Sequence, residues 1–221
     1  MSNYVLKYKK GEEVKYLSHL DFVRMFHRTV RRSGLPMSFS QGFNPHPIMT
    51  VAMPLSVGVT SDCEYMKIGF DGDFSGEEIK NKLNNAFPKG FEILAAVKTE
   101  GKEHDFNKLD RAEYLIEAEL EKPYVPNIED FMANEKILVM KKSKSGIKEA
   151  DIKPYIYKLR IKEAKDNIIL FDMIIAAGNN YNLKPETVLD AIKNYQPEFN
   201  PVFSMSRRTL VLAGDKELIK G

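Results

Sequence analysis

The sequence holds one cysteine, Cys63, in 221 residues, and no tryptophan. A single thiol excludes an internal disulfide, a zinc site built from several cysteines and an iron–sulfur cluster held by this chain alone, and it points to a reducing, cytoplasmic setting. No apolar run approaches the roughly 18 residues that cross a bilayer, and Met1 to Lys10 does not resemble a signal peptide. Histidine is scarce as well, with only His19, His27, His46 and His104. His19 and His27 fall eight residues apart on one predicted helix, hence roughly 12 Å and about 80° apart, too far to share a metal ion. No phosphate-binding loop, dinucleotide fingerprint, nucleophile elbow or metal-type spacing of histidine and cysteine occurs, so no cofactor or metal is expected and the commonest enzyme classes lose their support. Net charge is nearly absent too, at +2 from 33 basic and 31 acidic residues.

What is present is local. Arg24, Arg28, Arg31 and Arg32 crowd one helical stretch, Lys141, Lys142, Lys144 and Lys148 one hairpin-like stretch, and Arg207 and Arg208 stand side by side near the C-terminus. Patches of this kind set the field a partner meets more than the summed charge does, and guanidinium forks match phosphates. At 43% hydrophobic and 29% charged, the chain can bury ordinary globular cores.

Alternation over Tyr4 to Lys9 predicts a strand, and Ser18 opens a helix as N-cap with Asp21 three residues on. Leu20, Val23, Phe26, His27 and Val30 recur at helical spacing and are expected to face a sheet, until Ser33-Gly34-Leu35-Pro36 stops the helix. Strands are predicted over 48–53 and 64–70, a helix from Ser75-Gly76-Glu77-Glu78 to Pro88-Lys89-Gly90, and a strand over 91–97. The order β-α-β-β-α-β is the split βαβ of a ferredoxin-like domain. A polar stretch, 99–110, reads as a linker. The remainder repeats the order with one extra strand: strand 112–120, a helix capped by Asn127, strand 136–142 turning at Lys144-Ser145-Gly146, extended stretches 155–164 and 168–176, helix 185–194 and strand 202–212. The expected fold is α+β, two tandem ferredoxin-like units with antiparallel sheets over 1–98 and 111–221.

The stretch Ser40-Gln41-Gly42-Phe43-Asn44-Pro45-His46-Pro47 stands out. Two prolines fix φ and hold Asn44 and His46 extended, while Gly42 permits conformations other residues avoid. A stiff loop carrying two amides, an aromatic ring and an imidazole can stack on and hydrogen-bond to a planar ligand at low entropic cost. The plainer reading is a turn whose Gln41 and Asn44 bond their own backbone while Phe43 plugs the core. His27, beside the apolar stripe, reads as a packed histidine.

With Leu17-Ser18-His19-Leu20-Asp21, Arg24, Arg28, Arg31-Arg32, Gly34-Leu35-Pro36, the 40–47 stretch, Pro54-Leu55, Val57-Gly58-Val59 and Glu64-Tyr65, the chain resembles the bacterial radical-SAM-linked proteins, a family of unknown function carrying the DUF2344 domain. Similarity is strong over about the first third and thinner beyond, where Lys153 stands in place of the family's arginine. The resemblance implies a companion radical SAM protein and a setting among ribosomal and RNA-processing proteins. Lacking three closely spaced cysteines, this chain would be the partner rather than the radical enzyme.

The leading expectation is an accessory protein that binds ribosomal or transfer RNA and presents it for modification. Arg24, Arg28, Arg31, Arg32, Arg207 and Arg208 would hold phosphates, while Gln41, Phe43, Asn44 and His46 would engage an unpaired base. One alternative is a metal-independent RNA-processing enzyme in which His19 or His46 takes the 2′-hydroxyl proton and an arginine stabilises the phosphorane. The other is a module that only docks on a protein. The first two readings expect the proline-braced imidazole and the arginine-bearing helix to open into one cleft.

Overall fold

Residues Ser2–Lys10 form the first strand, β1, and its side chains are covered on both faces: Tyr4, Val5 and Leu6 are all fully buried. The computed structural model describes residues 1–100, 104–143, 146–178, 181–212 and 218–219, without the side chains of 142–143, 203–207 and 211–212. The chain divides into two compact units, Met1–Leu109 with Arg208–Gly221, and Asp110–Arg207.

In the first unit, β1 lies between two antiparallel neighbours, β3 (Thr60–Phe70) and β4 (Phe91–Thr99). A short strand, β2 (Met49–Val51), adds to the other edge of β3, giving the order β4-β1-β3-β2. Two helices, α1 (His19–Ser33) and α2 (Gly76–Ala86), supply the rest of the core, which joins Leu6, Tyr8, Ile68 and Ile93 from the strands to Phe22, Phe26, Val30, Ile79 and Leu83 from the helices. Phe22 is the hub, with ring centroids 5.4 Å from Tyr8, 5.9 Å from Phe26 and 5.4 Å from Phe91; such pairs add to plain burial through edge and offset packing.

Both helix starts are capped as the sequence predicts. Ser18 Oγ accepts the Asp21 N–H at 3.2 Å and donates to the Asp21 carboxylate at 2.7 Å, and Ser75 Oγ accepts the Glu78 N–H at 3.1 Å. Gly34 ends α1 at φ +73°, a left-handed position at which a Cβ would be strained. One expectation fails: Leu20 is 65% exposed. The buried stripe of α1 is Phe22, Phe26, Thr29 and Val30, and a residue two positions before Phe22 sits about 200° round the helix from it.

The second unit runs β5 (Leu109–Leu120), α3 (Ile128–Ala133), β6 (Leu138–Ser143), β7 (Gly146–Asp151), β8 (Ile156–Lys165), β9 (Ile168–Ala176) and α4 (Pro185–Tyr195). The last strand, β10 (Pro201–Leu212), passes into the first unit at Arg208. The sheet order is β10-β5-β9-β8, with β5–β9 and β9–β8 antiparallel. Where one extra strand is expected, there are two: β6 and β7 pair as a separate ribbon, and Lys144 and Ser145 at its turn lie outside the described residues. Ile116, Phe171, Met173, Val188, Ile192 and Phe199 are completely buried and form this unit's interior.

On β9, Asp172 is buried and receives Lys158 Nζ at 2.9 Å and Arg160 Nε at 2.8 Å. Burial alone would raise its carboxyl pKa, but the hydrogen bonds from Lys158 and Arg160 prevail and hold it below the ordinary carboxylate value. A depressed acid is stabilising above its unfolded pKa, about 4, and that contribution is lost as pH falls through the lower folded value. Unfolding by urea is therefore expected to show wild type losing stability from about pH 4 downward more steeply than Asp172→Asn. Parallel curves for the two proteins would rule this ion pair out as a source of acid sensitivity.

Candidate functional site

Residues 38–48 leave and re-enter the first unit as a closed excursion. Ser38 N–H donates to Gly69 O at 2.9 Å, Ile48 N–H to Ser38 O at 2.8 Å, and Ser40 N–H to His46 O at 2.8 Å, while Phe39 bridges Pro47. Ser40 Oγ also accepts the His46 N–H at 2.9 Å, and Ser38 Oγ donates to Asp71 at 2.6 Å. These bonds clamp the base, so the tip, Gln41 to Pro45, stands in solvent with Gly42 at φ +126°. Phe43 is fully exposed and plugs no core. Gln41, Asn44 and His46 are exposed beside it.

Against the base of this loop lies the C-terminal half of α1. A groove of about 280 Å³ opens between them, lined by His27, Val30, Arg31, Leu35, Met37, Phe39 and Pro47. The sequence expects the proline-braced imidazole of His46 and the arginine-bearing helix to open into one cleft; the groove takes Arg31 from the helix and Pro47 from the loop, and the imidazole lining it is His27 rather than His46. His27 is half-buried, and burial lowers its pKa below the usual histidine value, which keeps the ring neutral near pH 7 with one donor and one acceptor. Phe39 closes the opposite side with half its surface exposed, at 49%. His27, Met37 and Phe39 are missing from the sequence-derived set; the legible signal is the His27–Arg31 spacing of four, which puts an imidazole and a guanidinium on one helix face.

The four helix arginines divide. All are exposed, but Arg24 faces Asp21 at 3.5 Å, and Arg32 donates to Thr29 Oγ1 at 3.1 Å and to Ala86 O at 2.8 Å, which ties α1 to the end of α2. Arg28 and Arg31 have no acidic partner among the described residues. Arg208 leaves the set altogether. It is 3% exposed, its guanidinium takes both oxygens of the buried Glu64 and donates to Met53 O at 2.9 Å, and Ser61 Oγ donates to Glu64 at 2.6 Å. A guanidinium whose donors are spent on a buried carboxylate cannot meet a phosphate. The side chain of Arg207 lies outside the described residues.

Nearby, Tyr8 pairs with Glu64 across β1 and β3; burial raises its phenol pKa first, and the Glu64 charge raises it further. Lys10 Nζ is buried and donates to Lys15 O at 3.1 Å and Leu17 O at 3.3 Å, with its pKa lowered by burial. His19 lines a crevice of only about 20 Å³ with Lys10, Phe22 and Leu55, room for about one water. His19 thus belongs to a different cleft from His27 and Arg31, and His46 lines neither. Among the lysines of the ribbon, Lys141 is occupied, with Nζ 2.5 Å from Tyr181 Oη and 3.9 Å from that ring's centre.

These features define an α+β protein of mostly antiparallel sheet, with a groove between a basic helix and a clamped, proline-stiffened loop. The chain belongs to the family described as "Uncharacterized protein conserved in bacteria (DUF2344)", whose model matches residues 3–185. No curated protein matches it in sequence. Among solved structures it is similar to a chain of a Cbf5-Nop10-Gar1 complex, with 12% identity and a TM-score of 0.51 over 97% of this chain and 50% of that one. It is also similar to a chain of an H/ACA RNP bound to a substrate RNA containing 2′-deoxyuridine, with 13% identity and a TM-score of 0.48 over 97% and 49%. The chain spans about half the length of each. At 12% identity the likeness to the first of these is one of fold. Among the described residues no helix is long and apolar enough to cross a membrane.

Proposed function

We propose that the protein binds RNA across the α1 surface and the 38–48 loop, and that it serves a radical SAM enzyme as a cytoplasmic accessory presenting ribosomal or transfer RNA for modification. The observation that carries the RNA reading is the groove that joins Arg31 and His27 of α1 to Phe39 and Pro47 of the loop. Arg28 and Arg31 hold phosphates, and the exposed tip, Gln41, Phe43, Asn44 and His46, reaches an unpaired base. The radical SAM partnership rests on the resemblance of the 40–47 stretch and on a chain whose single cysteine is buried, so that an iron–sulfur cluster would sit on the other protein. In the same reading each unit is ferredoxin-like: the orders β4-β1-β3-β2 and β10-β5-β9-β8 are what a split βαβ gives when its four strands are numbered along the chain.

Binding of total transfer RNA and of fragmented ribosomal RNA, measured by fluorescence anisotropy across a salt series, tests the RNA reading. Log affinity is expected to fall linearly with log salt, and Arg28→Ala with Arg31→Ala to lower the slope by about 1–2. Absence of binding, or affinity indifferent to salt, would overturn it and leave a protein-docking role.

A further inference from the structure

We infer that the groove between α1 and the loop base is a single-nucleotide pocket, which takes one unpaired base against Phe39 and Pro47 with its phosphate at Arg31. This rests on the RNA reading above and names the ligand of its site. The groove, at about 280 Å³, is smaller than the 300–1,000 Å³ usual for drug-sized ligands and suits one flat heterocycle better than a folded peptide segment. Most of its lining is apolar: Val30, Leu35, Met37, Phe39 and Pro47. Phe39 is held by its bridge to Pro47 yet keeps half its surface in solvent, the state of a stacking platform awaiting a partner and not of a core residue.

The polar groups fit the same occupant. Arg31 alone is charged among the described lining residues, so the mouth favours an anion beside an apolar body. His27 presents a neutral imidazole near pH 7, one donor and one acceptor, which is the pattern a base edge offers in return.

The test compares single-stranded homopolymer RNAs of about ten nucleotides with inorganic polyphosphate of similar charge, which carries no base. Phe39→Ala is expected to weaken RNA binding about tenfold, the usual scale of one lost stacking contact, and to leave polyphosphate binding unchanged. Phe39→Tyr, which keeps the ring, restores RNA affinity and guards against a folding artefact. RNA, but not polyphosphate, is expected to shift the Met37 methyl resonance. Equal loss for RNA and polyphosphate, no loss for either, or an unshifted Met37 methyl would overturn the pocket while salt-dependent RNA binding stood. Absence of RNA binding by the wild type would instead overturn the parent reading.

Discussion

Arg208→Ala is expected to lower stability by about 3–5 kcal/mol, the range for removing one partner of a buried ion pair. Glu64 is fully buried and takes the guanidinium on both oxygens. Truncation leaves a carboxylate with the Ser61 hydroxyl at 2.6 Å as its remaining close donor, and Met53 O loses the N–H it accepts at 2.9 Å. An uncompensated buried charge costs far more than the net worth of the pair, because attraction in the intact pair largely offsets the desolvation of both groups. The loss therefore depends on which partner remains. Replacing both, with Glu64→Leu and Arg208→Leu together, is expected to recover most of the stability. Urea unfolding followed by circular dichroism checks both outcomes, and a single-variant loss below about 1 kcal/mol would show that the pair is not dry.

Gly76→Ala is expected to destabilise by about 2–3 kcal/mol, although helix propensity argues the other way. Gly76 is the first residue of α2, and Gly to Ala within a helix is ordinarily worth about 1 kcal/mol of stabilisation. Here a Cβ would come 2.1 Å from the carbonyl oxygen of Ala96 on β4, an overlap with backbone that no rotamer change relieves. Either α2 or β4 must shift, and overpacking of this kind costs about 1–3 kcal/mol, occasionally more. Asn85→Ala, at an exposed position of the same helix, is the control and gains a few tenths of a kcal/mol from propensity. Thermal unfolding of both variants is decisive: a Gly76→Ala protein as stable as wild type would mean that the helix and strand separate at little cost.

Ser18, Ser75, Gly34 and the proline-braced loop were legible because their work is local. An N-cap oxygen reaches an N–H three residues away, a left-handed glycine ends its own helix, and a proline restricts itself and its predecessor, so each signal lies within a few residues of its effect. Hydrophobic periodicity likewise places Phe26 and Val30 inward without reference to any other segment, while Leu20 shows its limit, since one apolar residue outside the stripe looks the same in one dimension.

The sequence by itself determined most of the elements, though not β7, the caps of α1 and α2, and a loop stiff enough to present side chains. Tertiary structure alone decided which charges are available to a partner. Arg207 and Arg208 are adjacent in the chain, yet Arg208 is consumed by a carboxylate 144 residues away, and His27 became a groove wall because Phe39 and Pro47 happen to close over its helix face. Burial and pairing are sums over contacts between segments distant in sequence, and no signal confined to one turn of chain encodes which distant segment arrives.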